Sequence, residues 1–152
     1  MSKHIANTSW TFQGGDFLKG TYSREHQWSF DGGVTVPASS APTSVPLPYS
    51  NPACVDPEEA FVASISSCHL LTFLYIASKA GFQIARYEDE AVGEMTMNER
   101  KVKWVSKVTL HPRITYAGTS PSAEELTKLH HDAHEQCFIA NSVKTEIVIT
   151  SA

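Results

Sequence analysis

Cys68 and Cys137 are the residues of this chain best suited to chemistry. Cys68 stands in Ser66-Ser67-Cys68-His69, midway along an apolar segment that begins at Asp56-Pro57-Glu58-Glu59 and closes at Gly81. A cysteine so placed is either a small core residue or a buried nucleophile whose thiol is tuned by its surroundings. Cys137 follows His134-Glu135-Gln136, a mixed polar and apolar setting in which packing alone is a weaker explanation. Three cysteines are an odd number, and Met1 to Gly20 has no basic start leading into an apolar stretch of the secretory kind. A stapling disulfide framework is therefore not expected, and reactive thiols gain weight. The pair points to redox chemistry.

Long elements must carry these thiols. Asp56 is placed to cap a helix, Pro57 suits its first position and Glu59 completes a capping box. The spacing predicts a helix from there to about Lys79, apolar on nearly every face and so buried all round. Ser120-Pro121-Ser122-Ala123-Glu124-Glu125 opens a second helix with Leu126, Leu129 and Ala133 as its apolar stripe, ending near Cys137 before a short turn at Asn141. Upstream, residues 5–12 and 22–36 alternate apolar and polar residues, with turn signals at Gly14-Gly15 and Asp31-Gly32-Gly33. Residues 84–97 and 101–116 read as two long strands joined near Asn98-Glu99-Arg100, and 143–150 as a last one. The order βββ-α-ββ-α-β makes the expected class α+β, with antiparallel sheet wrapped on long central helices. Between Pro37 and Val55 five prolines stand among serines, which predicts a long ordered or semi-ordered loop lying over one domain.

At 152 residues the chain is expected to fold as a single domain, 1–152. Only 18% of its residues are charged, which suggests a surface partly covered by a partner. A net charge of −4 leaves no electrostatic footprint for nucleic acid or an anionic membrane. The longest apolar stretch, around Leu70 to Ala77, reads as too short and interrupted to span a bilayer, so a cytoplasmic protein is expected.

Asp56-Pro57-Glu58-Glu59 ahead of Cys68, Ser142-Val143-Lys144 after Cys137, and Tyr22-Ser23-Arg24 with Phe30-Asp31-Gly32-Gly33 together resemble the OsmC and organic hydroperoxide resistance family over nearly the whole chain. Its members are thiol peroxidases that form intertwined homodimers. The resemblance implies a peroxidatic Cys68, a resolving Cys137, and Arg24 and Glu58 as the pair that tunes the first thiol. It also implies a small hydroperoxide substrate, a dithiol or lipoyl-type reductant and no cofactor. Many members carry a proline directly after the second cysteine, where this chain has Phe138. Cys54 has no matching counterpart and reads as a passive loop thiol.

The implied roles make chemical sense. A thiolate that attacks the O–O bond of a peroxide becomes a sulfenic acid, which a second thiol converts to a disulfide before further oxidation. Apolar burial raises a thiol's pKa, so a cation such as Arg24 is needed beside Cys68, and a buried arginine in turn needs a carboxylate such as Glu58. Ten helical residues separate Glu58 from Cys68 by about 15 Å, too far for one arginine to touch both within one helix. A homodimer that brings Glu58 of one chain to Cys68 of the other resolves this and accounts for the all-round apolar helix.

Two other readings compete. His130 and His134 lie four apart on one helix face, a metal-like spacing, although no glutamate occupies the zinc-protease position and a solvated face is the commoner outcome. His134, three residues before Cys137, is also placed to influence that thiol. A non-catalytic dimer binding a small apolar ligand, with the cysteines as sensors or inert, would draw on Tyr49, Phe61, Phe73 and Phe138. The glycine pairs lack any phosphate-binding context.

Overall fold

In a computed structural model that describes residues 1–150, three short strands come first: β1 (Ala6–Ser9), β2 (His26–Phe30) and β3 (Thr35–Ala38). They pair antiparallel in that order. The β2–β3 hairpin turns at Asp31-Gly32-Gly33, where Gly33 takes a φ of 88° that a side chain would resist. The proline-rich segment beyond is tied down by its backbone. Ser39 donates to the Val55 carbonyl at 3.0 Å and Val55 to the Pro37 carbonyl at 3.1 Å. The chain divides into two compact units, Met1–Ala60 and Phe61–Ala152, and these strands with the segment after them belong to the first.

Helix α1 (Pro57–Lys79) begins as its sequence predicts. The Asp56 carboxylate accepts the Glu59 N–H at 2.8 Å, and the Glu59 carboxylate accepts the Asp56 N–H at 3.1 Å. It stops because Gly81 enters the left-handed region at φ 86°, letting the Phe82 N–H reach back to the Ala77 carbonyl. By length and composition this 23-residue helix could cross a membrane, contrary to the reading of Leu70 to Ala77 as too short. Ile65, His69, Phe73 and Ala77, spaced by four, are instead buried against protein.

The second unit supplies that packing with β4 (Ile84–Asp89), β5 (Val92–Met97), β6 (Lys103–Leu110), β7 (Pro112–Tyr116), α2 (Ala123–Gln136) and β8 (Glu146–Ile149). The α+β class is as expected, while each of the two long strands read from the sequence is divided in two. The corner lies at Asp89, whose carboxylate accepts the His111 N–H at 2.6 Å and the Ser66 hydroxyl at 2.5 Å. The halves then join different sheets: β4 pairs with β7, while β6 lies between β5 and β8. Pairing is antiparallel except that β8 runs parallel to β6.

Two hydrophobic clusters result. Phe73 and Ala77 of α1 meet Leu129 and Ala133 of α2, and Ile65 of α1 meets Val108 and Leu110 of β6. Burying a side chain the size of Phe73 or Leu110 contributes about 1.5–3 kcal/mol. Strand β5 comes so close to α1 that a Cβ at Gly93 would lie 2.5 Å from Val62 Cγ2, so a side chain there would force Val62 to move.

Burial of α1 is one-sided within the chain. Leu71 and Tyr75 are 65% and 60% exposed, against the expectation of a helix buried all round.

Candidate thiol site

Ser64, Ser67, Cys68, Leu71, Thr72 and Tyr75 occupy the face of α1 that the clusters leave free, at the spacing of one side of a helix. They form one wall of an open groove of about 870 Å³. The other wall is the end of α2 and the turn after it, with Glu135, Gln136, Phe138, Ile139 and Asn141. Phe138 is 84% exposed and stands with Leu71 and Tyr75 as apolar surface open to solvent.

α2 brings the second thiol here. Ser122 and Glu125 form a reciprocal capping box at its start, and Cys137 ends it, donating its N–H to the His134 carbonyl at 3.3 Å. Both thiols are free. Cys68 is half-buried in the groove, whereas Cys137 is 1% exposed behind it. The backbone of the following turn meets both sulfurs: Ile139 N–H donates to Cys68 Sγ at 3.5 Å and Ala140 N–H to Cys137 Sγ at 3.4 Å. Burial, then a hydrogen bond with the Cys68 side chain, push the Cys137 pKa up to about 11, the amides of Ala140 and Ile139 pulling the other way. Cys137 is therefore a neutral S–H near pH 7, able to donate to the sulfur beside it.

The chain thus brings Cys68 and Cys137 together, 69 positions apart in sequence. Arg24 and Glu58 lie in the other unit, and among the described residues no ion pair joins them. Arg24 donates to the carbonyls of Gly20 and Tyr22 at 2.8 and 2.5 Å, and its guanidinium lies 3.7 Å from the centre of the Tyr22 ring. That arrangement uses the planar fork and the aromatic face together. Glu58 is half-buried in the first turn of α1. Cys54 is also half-buried, and its thiol lies 4.0 Å from a Glu25 carboxylate oxygen. Burial and that carboxylate push its pKa up, which disfavours its thiolate.

The histidines differ from the sequence reading. His130 is 4% exposed, in place of a solvated face, and its Nδ1 lies 3.0 Å from Nε2 of the equally buried His69. Its position four after Leu126 and three before Ala133 sets it on the apolar stripe, a signal the sequence did carry. Burial is the main cause that lowers both pKa values to about 4, so the pair is neutral near pH 7. His134 is half-buried with Nδ1 unpartnered, and no group of three His, Cys, Asp or Glu among the described residues is arranged to hold a metal. Nothing in the sequence singles out Ile139 or Ala140, because backbone donors leave no trace in residue type, and it marks Asn141 only as a turn residue.

The OsmC-like protein family matches residues 50–152, a span that includes Glu58, Cys68 and Cys137 but not Arg24. Among solved structures, an OsmC-like protein of unknown function from Vibrio cholerae is 48% identical over 100% of both chains, with a TM-score of 0.96. An organic hydroperoxide resistance protein from Legionella pneumophila is 17% identical, covering 100% of this chain and 98% of its own, at a TM-score of 0.72. The organic hydroperoxide resistance protein OhrB of Bacillus subtilis is 19% identical, covering 97% and 98%, at 0.65. At such identities these two establish likeness of fold. No curated protein matches the chain.

Proposed function

The chain belongs to the OsmC-like protein family, and from that premise we propose that it is a cysteine-based peroxidase acting on organic hydroperoxides. The observation that carries the proposal is a half-buried Cys68 in an apolar groove with a buried Cys137 behind it, adjacent amides of one turn meeting the two sulfurs. In this reading the Cys68 thiolate attacks the outer peroxide oxygen. The O–O bond breaks, Cys68 becomes a sulfenic acid and the alkoxide takes a proton to leave as an alcohol. The Cys137 sulfur then attacks the Cys68 sulfur, displacing the hydroxyl as water and closing a disulfide. A small dithiol or lipoyl-type reductant returns both residues to thiols by exchange, being oxidised to its own disulfide. Leu71, Tyr75 and Phe138 favour a substrate with an apolar tail.

Arg24 and Glu58 enter as the tuning pair of the first thiol, completed in a homodimer. The open apolar face of α1, with Leu71 and Tyr75 exposed, supports a partner chain over part of that helix. The second reading, an apolar ligand held without turnover, draws on the same groove.

Stopped-flow oxidation of the reduced protein by cumene hydroperoxide and by hydrogen peroxide, followed by disulfide mapping, separates the readings. The expected result is faster oxidation by the organic peroxide and a Cys68–Cys137 bond, with Cys68→Ser inactive. If Cys68→Ser consumes peroxide at the wild-type rate, the peroxidase assignment falls and ligand binding without chemistry takes its place.

A further inference from the structure

We infer that Asn141 is a positioning residue for the thiol pair, its side chain pinning the end of α2 so that the Ile139 and Ala140 amides face the two sulfurs. The last carbonyls of a helix have no partner within it. Here the Asn141 side-chain amide donates to two of them, Glu135 and Cys137, at 2.9 Å each, and its own N–H reaches the Cys137 carbonyl at 3.1 Å. One residue thereby fixes the backbone on both sides of Cys137 and Phe138. The Ser142 hydroxyl closes the turn on the Phe138 carbonyl at 2.7 Å. Held in this shape, the turn aims one N–H at Cys68 and the next at Cys137.

An N–H directed at a sulfur strengthens when that sulfur becomes a thiolate, so the donor favours the ionised form. The Ile139 amide supplies this to Cys68 from within its own unit, and Asn141 acts through that amide. The assignment gives a catalytic meaning to the turn only on the peroxidase reading, but thiol reactivity tests it without peroxide.

The experiment follows alkylation of Cys68 by iodoacetamide between pH 5 and 10, read by mass spectrometry of its peptide. Asn141→Ala and Ile139→Pro are compared with wild type and with Ile139→Val, which keeps the N–H. Ile139 has φ −69°, so proline fits that backbone while removing the donor. Circular dichroism confirms that each variant folds. Asn141→Ala and Ile139→Pro should move the profile to higher pH, slowing alkylation at pH 7 about three- to tenfold and converging with wild type at the alkaline limit. Ile139→Val should follow wild type. An unmoved profile in either folded variant overturns the inference, as does a slowing of equal size at every pH, which would mean altered access to the groove. A shifted profile in a protein without hydroperoxide turnover would sink the peroxidase reading and leave the role of Asn141 standing.

Discussion

His69 Nε2 and His130 Nδ1 lie 3.0 Å apart, joining α1 to α2 one residue away from Cys68 by a hydrogen bond with almost no access to water. One ring donates and the other accepts, so the contact cannot survive protonation of both. His130 also packs on Phe73 at a centroid distance of 4.6 Å, leaving little room for a hydrated imidazolium.

Acid should therefore loosen the helix pair. Folding lowers both histidines from 6.5 to about 4, so the unfolded chain binds protons that the native pair refuses. The stabilisation is complete above about pH 6.5, declines as pH falls from there towards 4, and then levels. A shift of this size corresponds to about 3 kcal/mol for one histidine. Urea unfolding at pH 7 and pH 4.5 should show the decline, with a shallower pH dependence in His69→Leu/His130→Leu, which removes both titrating groups. Equal slopes in the two proteins would show that other groups control acid stability.

Serine at position 137 should separate the two oxidation steps. Cys137→Ser should still lose the Cys68 thiol to one equivalent of organic hydroperoxide, but without a disulfide, so sulfenic and then sulfinic acid accumulate on Cys68 by mass spectrometry. Catalytic cycling should stop. Continued cycling through a Cys54–Cys68 bond would move the resolving role to Cys54.

Lysine cannot reproduce what Arg24 does with the Gly20 and Tyr22 carbonyls and the Tyr22 ring. Arg24→Lys should lower the second-order rate of Cys68 oxidation about tenfold or more at pH 7, as should Glu58→Gln if the two act together. A combined variant no slower than the worse single one would indicate shared action, whereas wild-type rates would remove both from the site.

Sedimentation should report about twice the chain mass at micromolar concentration. Leu71→Glu, placed at the exposed face of α1, should shift the protein towards monomer. A wild-type monomer with full peroxidase activity would contradict the shared-site proposal.

Local chemistry was the legible part of this fold. Asp56-Pro57-Glu59 marked the start of α1 and Gly81 its end because caps act within a few residues. The division of the long strands depends on an Asp89 to His111 contact 22 positions apart, and residue type does not announce such a corner. The parallel pairing of β8 with β6 is likewise set by tertiary contacts. At the site the two cysteines stood out by type, and the structure brings them together. Leu126, Leu129 and Ala133 show the apolar stripe of α2 by type, whereas His130 shares it only by position, since histidine is compatible with a surface as well as a core. The amides of Ile139 and Ala140 have no side-chain signature at all.

The S–H state of Cys137 has a consequence for proton accounting. In the proposed cycle, when its sulfur joins Cys68, the hydrogen it releases is the one the displaced hydroxyl needs to leave as water. Disulfide closure then neither takes a proton from solution nor returns one, and the only net demand of the oxidative half-cycle on the medium comes from the alcohol formed in the first step. In that cycle a thiol kept un-ionised by its burial arrives at the reaction carrying its own acid.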